Sequence, residues 1–232
     1  MSGGIAELRG DDAHHLARVL RAEPGQRYEI CDQHSVWLAE IIEASPDRII
    51  FRTLEDLKPP PPPVKIAIYA ALVKFDRFEW MIEKAAELGV ERIIPVEAGR
   101  SEKGLLQASA KRMERWTRIA REASRQSRRV QPPDIASAIS FGTALVCDAP
   151  LRYFLEEEAA TPLVRVIPPG RTSSDCVAVL VGPEGGWTDR ERESAAAGWE
   201  AASLAPTILR AETAAIAAAA ILMNAWMAPP IQ

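Results

Sequence analysis

Residues 59–63 are five consecutive prolines, and no helix or sheet interior can run through them. Proline has no N–H to donate and holds φ near −65°, so the run reads as a polyproline II spacer, about 3.1 Å per residue and without internal hydrogen bonds. It divides the chain into residues 1–58 and 64–232, each of which must bury a core of its own. The first piece is close to the smallest size that folds alone, whereas the second is ample for a full domain.

The two pieces carry different hydrophobic patterns. In the first, strand-like segments at 27–31, 36–42 and 48–54 are separated by turn signals at Gly25, Asp32-Gln33 and Ser45-Pro46-Asp47. A short helix is expected at 11–21, with Leu16, Val19 and Leu20 on its inner face. After the prolines, nearly continuous apolar runs at 64–72, 92–96, 144–148 and 177–181 read as buried parallel strands. They alternate with helical periodicity at 75–88 and 108–127, and Thr188-Asp189-Arg190-Glu191 reads as a capping-box helix start. Strands alternating with helices define an α/β layer architecture.

Two segments concentrate residues suited to chemistry. Val181-Gly182-Pro183-Glu184-Gly185-Gly186 leaves an apolar strand through glycines that allow a ligand close to the backbone. Leu204-Ala205-Pro206-Thr207-Ile208-Leu209-Arg210-Ala211-Glu212 places an arginine and a glutamate at the mouth of an alanine-rich helix. Neither phosphate-loop signature occurs in the chain, and Glu184 within the turn would repel a phosphate, so a neutral or cationic ligand suits this loop.

Overall charge is −4, which alone would argue against a nucleic-acid partner. Within 111–129, however, eight basic residues stand against Glu114 and Glu122, a net of +6, so the rest of the chain carries −10. Lys111, Arg115, Arg118, Glu122 and Arg125 step by three or four along one side of a helix, a mostly positive row that Arg129 continues. A solvated face normally mixes signs; this one is a footprint for a polyanion such as RNA. Cys31, Cys147 and Cys176 have no metal-ligand or disulfide spacing. No signal-peptide pattern or bilayer-length apolar run is found, and the expectation is a soluble cytoplasmic protein without a metal.

Several motifs in order carry a family resemblance: Asp12-Ala13-His14-His15-Leu16-Ala17-Arg18-Val19-Leu20-Arg21, then Lys84-Ala85-Ala86-Glu87-Leu88-Gly89-Val90 and Ile93-Ile94-Pro95-Val96. Arg115-Trp116, Ile119-Ala120, Glu122-Ala123 and Gln126-Ser127 follow, and then the two segments above. Their order and spacing resemble the bacterial 16S ribosomal RNA uridine-N3 methyltransferases of the SPOUT class, over nearly the whole chain. Departures from that pattern are Ala205 and Thr207 in place of a glycine and an arginine, Arg128 where glycine is common, and an opening without an Arg-Phe-Phe-like strand.

The resemblance implies a PUA-like RNA-binding β-barrel in residues 1–58, a linker at 59–63, and a SPOUT methyltransferase domain in 64–232 ending in a deep trefoil knot. It implies S-adenosylmethionine as methyl donor, 16S ribosomal RNA or the small ribosomal subunit as substrate, and a homodimer formed through the helix at 213–227. Val181, Gly182, Pro183, Glu184, Gly185 and Gly186 would form one wall of the donor pocket, and Leu204, Ile208 and Leu209 the other. Arg210 would stabilise the anion formed at uridine N3, with Glu212 or Glu184 taking the proton. His14, His15, Arg18 and Arg21 would join the basic helix in holding RNA. The alternatives are an RNA-binding or ribosome-assembly protein that kept the fold without catalysis, and a methyltransferase acting on another RNA.

Overall fold

The computed structural model describes residues 4–32, 35–157 and 160–228, so part of the turn expected at Asp32-Gln33 lies outside it. Two compact units divide within the proline run, Met1–Pro60 and Pro61–Gln232.

In the first unit, β1 (Ile5–Arg9), β2 (Arg27–Cys31), β3 (Val36–Ser45) and β4 (Arg48–Asp56) form an antiparallel sheet in the order β1-β4-β3-β2. Alternation turns Ala39 and Ile41 of β3 and Ile49 and Phe51 of β4 to one buried face, where Tyr28 meets Phe51 edge-on at 6.4 Å. An opening strand is nevertheless present, made by Ile5-Ala6-Glu7-Leu8-Arg9 without an Arg-Phe-Phe-like pattern. The helix differs too: α1 (Asp11–His14) passes into a π-helical turn, His15–Val19. There Leu20 N–H donates to His15 O at 3.2 Å, and the wider turn breaks the phase of the apolar positions. Leu16 still packs on the core, but Val19 and Leu20 are 63% and 55% exposed, so the expected inner face is corrected to Ala13, Leu16 and Ala17.

The second unit is a parallel sheet. Its strands are β5 (Lys65–Ala71), β6 (Arg92–Glu97), β7 (Asp134–Ile135), β8 (Ile139–Ser140), β9 (Leu151–Leu155), β10 (Thr161–Pro162), β11 (Cys176–Val181) and β12 (Glu200–Ser203). They run in the order β10-β12-β9-β11-β5-β6-β7, with β8 pairing off the same β6. Side chains alternate between two cores: Val177, Val179 and Val181 face one layer, and Ala178 and Leu180 the other. The first layer holds α2 (Phe75–Glu87), α4 (Met113–Gln126) and α8 (Ala211–Met227). Between α2 and α4 come α3 (Leu105–Ser109) and a 3₁₀ turn, Ala110–Arg112. The opposite layer receives α5 (Phe141–Ala144) and α7 (Asp189–Ala195), and α6 (Leu163–Val166) packs near α8.

The helix expected over 108–127 thus starts at Met113, after the 3₁₀ turn. The strand expected at 144–148 is absent, because Ser140 accepts from Thr143 N–H at 3.2 Å and caps a helical turn that takes up Ala144. The strand falls instead at β9, beyond Pro150, where Leu151-Arg152-Tyr153-Phe154-Leu155 pairs with β11 on one side and β12 on the other. The capping box forms as read: Thr188 N–H donates to Glu191 Oε2 at 2.8 Å, and Glu191 N–H returns to Thr188 Oγ1 at 3.3 Å. No helix among the described residues is long and apolar enough to cross a membrane.

Candidate functional site

The carboxyl ends of β9, β11 and β12, three neighbours in a parallel sheet, open on the same edge, which is where open α/β sheets place ligands. The segments leaving them are Leu155-Glu156-Glu157, residues 181–187 and residues 204–211. Together they line a pocket with about 530 Å³ of free space, its open mouth included.

The loop after β11 is shaped by its own chemistry. Gly186 N–H donates to Pro183 O at 2.9 Å, closing a tight turn, and Gly186 takes φ +67°. A side chain there would be strained and would also run into the carboxylate of Glu157. At Gly182 a Cβ would meet the Trp187 ring at 3.0 Å. Trp187 is buried, stacks on Phe154 at 4.8 Å between ring centroids, and donates Nε1–H to Leu155 O at 2.9 Å. That bond ties the loop to the end of β9.

The loop alternates between facing the pocket and facing away. Val181, Gly182, Pro183 and Gly186 line it; Glu184 and Gly185 do not. Glu184 Oε1 accepts from Arg77 Nη1 of α2 at 2.8 Å, and Gly185 O accepts from Arg100 Nη1, also at 2.8 Å. Arg100 is itself placed by the loop after β6, where Gly99 N–H donates to Glu191 Oε1 at 2.7 Å. Of the second wall, Leu204 and Leu209 line the pocket, as do Ala205 and Thr207, whereas Ile208 points outward at 76% exposure. Ala205 carries no left-handed backbone: among the described residues only Arg21 and Arg128 have positive φ without being glycine.

Sequence reasoning missed Leu155, Glu156, Glu157, Trp187, Ala211 and Ala214 on the lining, and Arg77 and Arg100 behind it. Trp187 follows the glycines directly, and Leu155 ends an aromatic-rich run, so both left a signal. Glu156 is held by Arg192 of α7 at 2.7 Å.

The charged candidates are now placed. Arg210 is the N-cap residue of α8 and lies between the lining residues Leu209 and Ala211; its side chain is exposed, makes no capping hydrogen bond and forms no ion pair with Glu212. Glu212, in the first turn of α8, is 7% exposed. Its Oε1 lies 4.0 Å from Arg77 Nε, and its Oε2 is buried with no hydrogen-bond partner among the described residues.

The basic row is partly matched. Arg115 Nε pairs with Glu79 of α2 at 2.8 Å, and Arg118 with Glu122 at 3.8 Å. Lys111, Arg115, Arg118 and Arg125 are exposed, while Arg129 turns inward and donates Nη1–H to Ala86 O at 3.2 Å. Burial pulls the Arg129 guanidinium down to about 10, so its place is a helix-end anchor rather than the exposed row. Next to it Arg128 stands at φ +57° just beyond α4, the conformation that makes glycine common there. In the first unit His14, His15, Arg18 and Arg21 are all exposed. No cluster of His, Cys, Asp and Glu suited to a metal ion occurs among the described residues.

A parallel sheet with a pocket at its strand ends and a separate small antiparallel module make this a two-module α/β protein. The RNA methyltransferase domain model matches residues 60–223 and the RNA methyltransferase PUA domain model residues 8–54; the chain belongs to the RNA methyltransferase family. Among curated relatives, the ribosomal RNA small subunit methyltransferase E of Bacillus subtilis is 31% identical over 89% of this chain and 85% of its own. That of Synechocystis is 33% identical over 87% and 67%. Among solved structures, a Legionella pneumophila methyltransferase in complex with its cofactor SAM has a TM-score of 0.80 at 29% identity, covering 97% of this chain and 93% of that one. The Neisseria gonorrhoeae ribosomal RNA small subunit methyltransferase E bound to S-adenosyl methionine has the same score at 28% identity, covering 97% and 94%.

Proposed function

We propose that this chain methylates N3 of a uridine in 16S ribosomal RNA, with S-adenosylmethionine as donor. The observation that carries the reading is the pocket between the two loops, with exposed Arg210 at its rim. Leu155, Val181, Pro183 and Leu209 supply apolar surface for an adenine and a methionine chain, and Gly182 and Gly186 bring backbone close enough to read polar edges. S-adenosylmethionine, when bound, supplies an electrophilic methyl group.

The chain's own residues then have to make uridine N3 a nucleophile. N3 carries a proton, and its anion spreads charge onto O2 and O4. Arg210 stabilises that charge, helped by the N-terminal end of the 17-residue α8, whose first-turn N–H groups are its positive pole. Glu212 or Glu184 takes the proton; one oxygen of each carboxylate faces Arg77. Much of the barrier reduction comes from alignment.

In this reading residues 1–58 close into a PUA-like barrel that binds RNA through His14, His15, Arg18 and Arg21, and residues 59–63 act as a linker. Residues 64–232 form the methyltransferase domain with a trefoil knot in its C-terminal part, and α8 makes a homodimer. Alanines at 217 and 220 leave α8 slim where it is not packed on the core, which supports close approach of a second copy. The site of action is the cytoplasm, on 16S ribosomal RNA free or in the small subunit. Tritiated methyl transfer to small subunits lacking the modification, followed by mass spectrometry of the labelled base, tests the reading; label in another base or another RNA contradicts it.

A further inference from the structure

We infer that Arg77 is a positioning residue of the pocket: by pairing with one carboxylate from each wall, it fixes the spacing between them. The inference rests on the methyl-donor reading above.

Arg77 lies in the first turn of α2 and lines neither wall. Its Nη1 donates to Glu184 Oε1 at 2.8 Å, and its Nε stands 4.0 Å from Glu212 Oε1. Glu184 belongs to the loop after β11 and Glu212 to the first turn of α8, so one guanidinium spans both. A planar group with N–H bonds in several fixed directions can serve two carboxylates at once, which a compact ammonium does poorly.

The two arms differ in what they hold. Glu212 is buried and its Oε2 has no hydrogen bond among the described residues, so Arg77 is the countercharge shown beside it. A buried carboxylate without compensation is costly, which makes the seat of the first turn of α8 depend on where Arg77 sits. Glu184 is exposed, lies off the pocket lining and turns its carboxylate toward α2. Arg100 also holds this loop, through Gly185 O, but of the two arginines Arg77 is the one paired with α8 as well. Without the Arg77 guanidinium, Glu184 is released and Glu212 is left buried without its countercharge. Both walls then relax, although every residue lining the pocket is unchanged.

The experiment is calorimetric titration of the full chain with S-adenosylmethionine, alongside thermal melts, for the parent, Arg77→Met, Arg77→Lys, Glu184→Gln and the double variant Arg77→Met/Glu184→Gln. Arg77→Met is expected to weaken donor binding on the order of tenfold, as displaced supports of a binding geometry do. Arg77→Lys should recover part of the loss, and the double variant should bind no worse than Arg77→Met alone, because the pair acts as a unit. An Arg77→Met chain that melts cooperatively and binds donor within about twofold of the parent overturns the inference, and so do additive losses in the double variant. If Arg77→Met does not fold, Glu184→Gln breaks the exposed arm alone, and donor affinity within about twofold of the parent overturns the inference. A parent chain that binds no donor at millimolar concentration overturns the donor reading itself, and this inference with it.

Discussion

The wall at residues 182–187 is held from several sides, whereas the wall at 204–211 is anchored mainly where it enters α8. In the first, Gly186 closes a turn on Pro183, Trp187 bonds to Leu155, and Arg77 and Arg100 hold the two residues that face away from the pocket. The second contains no glycine; residues 206–208 are exposed, and Arg210 projects beside them. One wall is shaped before any ligand arrives. The other lines the pocket in part and leaves Pro206, Ile208 and Arg210 exposed beside it.

The largest effect should come from breaking the rigid wall. Gly186→Val places a side chain at φ +67° against Glu157. It should lower stability by about 2 kcal/mol and weaken donor binding by a factor of about 100 or more, measured by melts and calorimetry. On the open wall the expected pattern reverses: Arg210→Ala should reduce turnover by roughly 10²–10³ while donor affinity stays within about threefold, since its charge matters once N3 loses its proton. Equal losses of affinity and turnover would give Arg210 a structural role.

Replacing Arg115, Arg118 and Arg125 together should weaken RNA binding and flatten its salt dependence, by roughly one unit of log–log slope for each phosphate no longer neutralised. An unchanged slope would remove the α4 face from the RNA surface. The smallest effect is expected at Arg128→Gly, which relieves a left-handed backbone at the end of α4 and should stabilise the chain by about 1 kcal/mol in denaturant melts.

The same contrast explains what could be read from the amino acids. The Gly182–Gly186 turn and the Thr188–Glu191 capping box were visible because their chemistry is local: glycine, proline and a reciprocal side-chain cap declare themselves within a few residues. Arg77 was not visible, because its partner Glu184 is 107 residues away and its position on α2 reads as one more polar residue between Phe75 and Phe78. β9 was missed for a related reason. The apolar 144–148 run looked equally good as a strand, and only the pairing of Leu151–Leu155 between β11 and β12 decides against it. A 3.6-residue period places Val19 and Leu20 inward, but the π turn does not keep that period and both are exposed. The absent glycine at 205 carries no backbone strain, because Ala205 keeps an ordinary φ. At Arg128 the backbone does take a left-handed φ, the conformation that favours glycine.

We propose that the pocket between these two walls holds the methyl donor for uridine modification. The most direct measurement incubates the full chain with tritiated S-adenosylmethionine and small ribosomal subunits lacking the modification, then identifies the labelled nucleoside by mass spectrometry. The expected product is 3-methyluridine at a single position of 16S ribosomal RNA, strongly reduced with Gly186→Val. No label in that RNA from a chain shown to bind the donor, or label on any other atom, would contradict it.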